Sequence, residues 1–532
     1  MTWFRRFLAC AVFSLSLWGQ MEDPLKGSRN LPERVEWFRD MGFGLFIHWS
    51  VDSQLGSVIS HSLVGASEDY TKRYFDQLPR TFNPRLYNAK DWAALAKLTG
   101  VQYVMFTAKH HNGFAMFHTK TTPFGIQNTP FRRDITKELV EAFREQGIAP
   151  GLYFSPDDFW WLTQNGKQLQ RNIPAVYPEN NPGLLRHDQE QVRELLTQYG
   201  PIDLMFFDGP WNGLRELAWD MNPKMVITRG GMETPEQFVP GVPLDGPWES
   251  CITMGTQWQY KPTNDVYKSG KELISLLVET RAKGGNLLLN IGPKPNGEIP
   301  IEQEERLREI ALWMFVNQES IYGVRPWVVT NEGDFWFTRK KGTNTVYVIA
   351  KTQERWKYGE WKEIRLRSVR ATPQTKISVL GQNDEVLEYQ PNVKPQSTFR
   401  QEGKEIVLRA MHAQRLYNNR QWPNPVVIKL ENVEAALEPP KIETGAPFEG
   451  ELLSLGGAES VEVQFEYQDV TGYDLTERAN DWKALAARRM TAPGKVSASR
   501  PALTKGRTYE YRTLVKHPLL TVYGPTKKFV AP

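Results

Sequence analysis

A (β/α)8-like barrel of the TIM type, tolerant of one irregular strand and followed by all-β sandwich domains, is the fold class this sequence predicts. Three observations predict it. From about residue 34 to residue 323, short apolar runs alternate with stretches whose apolar residues recur at helical spacing, the pattern of repeated βα units. The apolar runs are too hydrophobic for a surface and stop at turn signals, as Leu204-Met205-Phe206-Phe207 does before Asp208-Gly209-Pro210; such runs are strands buried on both faces. Beyond Gly323 the texture changes to brief alternating segments separated by Gly, Asn and Pro, which points to antiparallel sheets.

Seven strands are expected in order: Gly44 to Trp49, Tyr103 to Thr107, Ala149 to Phe154, Leu204 to Asp208, Met225 to Thr228, Cys251 to Met254 and Asn286 to Asn290, with a short or irregular eighth. Helices are expected over Ala89 to Lys97, Lys137 to Glu145, His187 to Gln198, Lys271 to Ala282 and Glu302 to Gln318. Ser269 with Glu272 three residues on makes a capping box for the fourth, and the acidic start of the fifth suits its dipole. Ser67-Glu68-Asp69-Tyr70 is expected to be a loop.

With 532 residues the chain exceeds one core and divides into domains. Residues 1–20 form a signal peptide, with Arg5-Arg6 before the apolar stretch Phe7 to Trp18 and cleavage between Ser16 and Met21; a retained anchor is the rival. Cys10 lacks a small-residue lipobox, which disfavours lipidation. The barrel occupies 21–325, an antiparallel β-sandwich 326–432 and a last β module 433–532, entered through Pro439-Pro440 and Gly445-Ala446-Pro447. Tyr509, Tyr511 and Tyr523 suggest a docking face on that module, against the plainer role of a spacer. After cleavage Cys251 is the one cysteine, so no intramolecular disulfide forms, which fits a bacterial periplasm better than a eukaryotic surface. The expected location is exported, periplasmic or extracellular.

A net charge of +4 without any concentration of Lys or Arg excludes a nucleic-acid footprint. No stable membrane span is expected once the signal is removed. The chain has no GxSxG elbow, no HExxH and no GxGxxG or Walker pattern; Gly284-Gly285 precede a strand instead of following one. The 18 Trp and 19 Tyr include faces suited to sugar rings, although most belong to the core.

Breaking a glycosidic bond needs one carboxylate at the anomeric carbon and a second carboxyl that gives its proton to the leaving oxygen. Asp208, at the tip of a buried strand beside Gly209, fits the first part; its plain alternative is a structural carboxylate capping a helix or pairing an Arg in the barrel mouth. Glu249 is the expected acid, because its neighbour Trp248 supplies the apolar surroundings that raise a carboxyl pKa. Asp157, Asp158 and Glu68 compete for that role. His48, His110 and His111 sit at strand ends, where imidazoles both donate and accept hydrogen bonds to hydroxyls; adjacent histidines without metal spacing argue for no metal. Cys251 reads as a small buried hydrophobe.

Phe43-Gly44-Leu45-Phe46-Ile47-His48-Trp49, Lys109-His110-His111-Asn112-Gly113-Phe114, Phe207-Asp208-Gly209, Trp248-Glu249 and Gly284-Gly285-Asn286-Leu287-Leu288-Leu289-Asn290-Ile291-Gly292-Pro293 together resemble the α-L-fucosidases of glycoside hydrolase family 29. The resemblance spans the barrel and extends to the sandwich; the last hundred or so residues lie outside it and resemble a fibronectin-type-III module. It implies a retaining, exo-acting hydrolase without cofactor, acting on a fucose-containing glycan, with Asp208 as nucleophile and Glu249 as acid/base. It implies that His48, His110 and His111 hold sugar hydroxyls, that Glu68 lies near the sugar and Tyr153 touches it, and that Phe46 and Trp258 face the C6 methyl. Phe206 stands where some members have Trp, Asp69 where an aromatic often follows the glutamate, and Trp258-Gln259-Tyr260 where Trp-Gly-Tyr is commoner. The arginine that some members place before the acid has no evident counterpart, the stretch being Glu233-Thr234-Pro235-Glu236-Gln237. These departures incline the reading towards branched, linkage-specific substrates. The alternatives are hydrolysis of an α-L-galactoside or a sulfated fucoside, and a non-catalytic carbohydrate-binding protein on the same barrel.

Overall fold

The computed structural model describes residues 27–532 except 245, 353, 355, 416–420, 423 and 472–481. The expected signal peptide, residues 1–20, and Cys10 lie outside the described residues.

All seven expected runs form strands: β1 Phe43–Ile47, β2 Tyr103–Lys109, β3 Ala149–Phe154, β4 Leu204–Phe207, β5 Val226–Ile227, β6 Glu249–Thr253 and β7 Asn286–Ile291. They form one parallel sheet in the order β5-β4-β3-β2-β1-β7-β6. Alternate side chains separate into two cores, as strand geometry requires. Phe46, Tyr103, Met105, Tyr153, Leu204, Phe206, Cys251 and Leu288 fill the inside of the curled sheet, while Leu45, Ile47, Val104, Phe106, Met205 and Leu289 join the outer core with the helices.

Between β5 and β6 the eighth position is taken by residues 233–237, an irregular extended segment. It runs parallel to β6: the Glu249 N–H donates to Glu233 O at 3.0 Å, Cys251 N–H to Pro235 O at 2.9 Å and Gln237 N–H to Cys251 O at 2.8 Å. Pro235 has no donor to offer the other side, and no ladder among the described residues joins this segment to β5.

The five expected helices are Ala89–Thr99, Ile135–Glu145, Pro182–Gln198, Gly270–Ala282 with its Ser269/Glu272 capping box, and Ile301–Asn317. Expectation failed at Ser67 to Tyr70. In place of a loop, Ser67 caps the helix Glu68–Thr81 by accepting from the Tyr70 N–H, so Glu68 occupies a helical first turn where an acid suits the dipole.

Past the barrel, strands Val369–Val379, Val426–Ala435, Val346–Ala350, Phe335–Lys340 and Val324–Glu332 form one antiparallel sheet, and Trp361–Leu366, Glu405–Met411 and Thr398–Glu402 another. Val348, Ile364 and Leu408 share the core with barrel helices, and Trp313 Nε1 donates to Pro425 O at 2.8 Å across that junction. The last module has its own core of Ile442, Leu452, Val463, Phe465, Tyr511 and Val515. Tyr509 and Tyr511 are buried there, while Tyr523 covers the Arg512 guanidinium at 4.2 Å. Tyr509 and Tyr511 are therefore not available for the docking face raised beside the plainer spacer role: period-2 alternation turned them inward. Among the described residues no helix is long and apolar enough to cross a membrane.

Candidate active site

A cavity of about 250 Å³ opens at the C-terminal ends of the barrel strands, lined by Phe46, His48, His110, His111, Tyr153, Phe206, Asp208 and Trp258 together with Val58, Ile59, His61, Arg171, Arg229, Glu236, Gln237, Cys251, Thr256 and Gln257. Eight of the ten site residues expected from sequence meet here. Glu68 and Glu249 do not.

Asp208 follows β4, its N–H bonded to Phe154 O at 3.1 Å. Gly209 takes φ 146° beside it, and a Cβ there would sit 3.0 Å from Asp157 Oδ1, so the glycine lets the two loop tips close together. The Tyr153 hydroxyl donates to Asp208 Oδ2 at 2.7 Å, Arg229 Nη1 to Oδ1 at 2.8 Å and Arg171 Nη2 to Oδ1 at 3.3 Å. His111 Nε2 lies 3.4 Å from Oδ2. Burial alone would raise the Asp208 pKa, but Arg171, Arg229 and His111 outweigh it and hold the carboxyl well below the usual range. The result is a buried anion at the floor of a sugar-sized hole, in the ionic form a nucleophile needs.

Arg229 is the residue that organises the rest. It stands two positions beyond β5, on a strand tip as Asp208 does. Its guanidinium lies over the Phe206 ring at 4.5 Å; Nε donates to Thr234 Oγ1 at 3.1 Å and Nη2 to Glu236 Oε2 at 2.9 Å. A tight turn at Gly230-Gly231 sends the chain back to this point, since a Cβ on Gly231 would meet Ile227 O at 2.5 Å. Glu236 sits at the mouth end of the irregular eighth segment, its side chain 30% exposed.

Glu249 is a correction. It is the first residue of β6, paired with Asn286, the first of β7, and so lies at the opposite end of the barrel from the strand tips. Tyr103, first residue of β2, donates to its Oε2 at 2.5 Å, and the side chain is wholly buried. Burial pushes its pKa up to about 7, against the lowering effect of the Tyr103 hydrogen bond. The raised pKa foreseen beside Trp248 is present, but at the closed end, where no substrate reaches. Glu68 is also corrected: it is exposed on its helix, outside the cavity. Asp158 caps the helix Phe159–Gln164 and accepts from buried Lys109 at 3.2 Å, a structural task.

Burial lowers the pKa of His48 to about 3, of His111 to about 3 and of His110 well below its ordinary value, so all three imidazoles are neutral. His48 Nδ1 lies 2.6 Å from Asn290 Oδ1, His110 Nδ1 2.8 Å from Ser60 Oγ, and His111 Nδ1 is bonded to Ser155 Oγ. The His110 ring stacks on Tyr153 at 5.2 Å, and Phe46 meets Trp258 edge-on at 6.0 Å to form an apolar wall. The ligand-capable atoms of His110, His111 and Asp208 lie within 4.8 Å of one another, yet Arg171 and Arg229 already neutralise that carboxylate, which is poor chemistry for a cation. Cys251 is free and buried, its thiol pKa raised by burial.

Arg229, Glu236, Arg171 and His61 escaped the sequence reading. For Arg229 the signal existed: it follows the run Met225 to Thr228 just as Asp208 follows its own. Glu236 was visible in the stretch Glu233 to Gln237 but carried no strand pattern to place it.

An alpha-L-fucosidase family model matches residues 22–319, more than half of the chain. Plasma α-L-fucosidase of Rattus norvegicus is 30% identical over 371 residues, spanning 62% of this chain and 79% of the relative. Tissue α-L-fucosidase of Bos taurus is 30% identical over 400 residues, spanning 67% and 82%. Among solved structures, α-L-fucosidase isoenzyme 1 from Paenibacillus thiaminolyticus superposes with a TM-score of 0.61 at 27% identity, covering 76% of this chain and 99% of that one. The α-fucosidase of Thermotoga maritima shares the fold, with a TM-score of 0.57 at 24% identity over 74% of this chain and 96% of that one. With a matching barrel, a strand-tip carboxylate and a histidine-lined pocket, this chain belongs to the α-L-fucosidase family of glycoside hydrolases.

Proposed function

We propose that the chain is an exo-acting, retaining α-L-fucosidase in which Asp208 attacks the anomeric carbon and Glu236, in place of Glu249, is the acid/base. The observation that carries this reading is the shared guanidinium of Arg229, which holds an anionic Asp208 and a partly exposed Glu236, both lining a cavity the size of one sugar. In the first step the Asp208 carboxylate forms a bond to C1 while the C1–O bond to the leaving group breaks and Glu236 gives that oxygen its proton. In the second, Glu236 takes a proton from water, the water oxygen bonds to C1, and the ester to Asp208 breaks. The small cavity, with room for about one sugar, and the burial of Asp208 support exo action. The Phe46 and Trp258 wall supports a C6 methyl over a C6 hydroxyl, which would lie unpaired against it.

NMR of the first anomer released from an aryl α-L-fucoside tests this: α-L-fucose is expected first, and β-L-fucose first would overturn retention. The charged then apolar start, Arg5-Arg6 before Phe7 to Trp18, supports export to the periplasm or medium. N-terminal sequencing of the mature protein from fractionated cells should give a start between residues 17 and 21, and an intact Met1 in the cytoplasm would contradict it.

A further inference from the structure

One of the four pocket histidines, His48, has its hydrogen-bond direction fixed by its neighbours. The Asn290 amide sits at the end of β7 with Nδ2 2.6 Å from Trp258 O. A carbonyl oxygen only accepts, so the amide must present NH2 to Trp258 and its own oxygen to the other side. That oxygen lies 2.6 Å from His48 Nδ1, and since Asn290 Oδ1 only accepts, Nδ1 must carry the proton. In a neutral imidazole Nε2 is then bare. Nε2 makes no hydrogen bond to another described residue, while its ring lines the cavity. The Trp258 carbonyl is itself fixed: a Cβ on Gly292 would meet Gln259 C and Tyr260 N at 2.5 Å, so this glycine is what lets the Trp258-Gln259-Tyr260 loop press against β7. His110 and His111 are held differently, by the hydroxyls of Ser60 and Ser155, and a hydroxyl can donate or accept.

We propose that Asn290 is a positioning residue that makes His48 an obligate hydrogen-bond acceptor, so that the sugar position facing His48 must carry a free hydroxyl, and a sugar sulfated, acylated or etherified there is refused. This rests on the reading of the cavity as a fucose site. A substituted oxygen would meet Nε2 lone pair to lone pair in a buried pocket, leaving both unpaired, and sites of this kind reject the mismatched analogue strongly. Burial supports the neutral state, lowering the His48 pKa to about 3.

Two measurements on the full chain test it. By 15N NMR of histidine-labelled protein, His48 should show a protonated Nδ1 and an unprotonated Nε2, and Asn290→Leu should release it to the mixture of a free imidazole; an Nε2-protonated His48 in the native protein would overturn the proposal whether or not any fucoside is cleaved. Competition by L-fucoses carrying fluorine or hydrogen in place of one hydroxyl should reveal one position where fluorine, which cannot donate, binds no better than hydrogen and about a hundredfold or more below fucose. Asn290→Leu should shrink that fluorine penalty. A fluorinated sugar that binds like fucose at every position would contradict the inference with the fucosidase reading intact. Failure of fucose itself to compete, with the tautomer as expected, would overturn the fucose reading and with it the refusal of substituted fucose.

Discussion

Asp208 and Glu236 share one guanidinium: Arg229 donates from Nη1 to the first at 2.8 Å and from Nη2 to the second at 2.9 Å. A planar fork holding two carboxylates fixes their separation as no pair of independent side chains would, and at a distance set by the guanidinium itself. Retaining hydrolysis needs its two carboxyls only about 5–5.5 Å apart, whereas inversion needs room for a water between sugar and base.

Arg229→Lys should therefore be no conservative change. The shorter ammonium lacks the planar fork that aims Nη1 at Asp208 and Nη2 at Glu236 from fixed positions, and kcat/KM on aryl fucosides should fall by roughly a hundredfold or more while the fold persists. Steady-state kinetics with circular dichroism as a control checks this; a change within a fewfold would show that the bridge is dispensable.

Glu249→Gln should leave turnover nearly intact and change the pH dependence of stability. The native protein holds the Glu249 proton to about 7 against an ordinary 4.5. The favourable contribution of this group is thus fully present below about 4.5 and lost as pH rises through about 7. Removing it should flatten a slope worth about 2–4 kcal/mol over that window, read from urea midpoints at several pH values. An unchanged slope would mean that the buried carboxyl is not protonated.

Neutral His48 and His111, both lowered to about 3 by burial, predict no acid limb of kcat/KM near the ordinary 6.5. A pH profile locates the limb; a loss of activity centred near 6.5 that His48→Gln removes would contradict the neutral assignment.

Gly285→Ala should destabilise the barrel by about 1–3 kcal/mol or prevent folding, because its Cβ would stand 2.4 Å from the Trp248 ring. Thermal unfolding of the variant gives the value, and an unshifted midpoint would show that Trp248 moves freely.

Much of this fold is legible in the chain because the barrel strands are apolar on both faces and end at turn residues; all seven runs became strands. The eighth position was not, since Glu233-Thr234-Pro235-Glu236-Gln237 has neither apolar pattern nor two usable hydrogen-bonding edges. Asp208 was legible because it ends its strand. Glu249 was misplaced for the converse reason: Trp248-Glu249 opens a strand, and the first residue of a parallel strand belongs to the closed end of the barrel. Burial raised its pKa as expected, but burial alone does not say which end of the barrel a residue occupies. The helix at Glu68 went unread because its first turn is as polar as a loop, leaving Ser67 as its one local signal.

Azide rescue tests the central claim most directly, because the configuration of the product identifies which carboxyl was removed. With an activated aryl α-L-fucoside, Glu236→Ala should still form the Asp208 ester, and azide should attack it to give the α-L-fucosyl azide. Asp208→Ala should give the β-azide by a single displacement, and Glu249→Ala, if folded, should hydrolyse the substrate without needing azide. An α-azide from the Glu249 variant together with an unimpaired Glu236 variant would contradict the account.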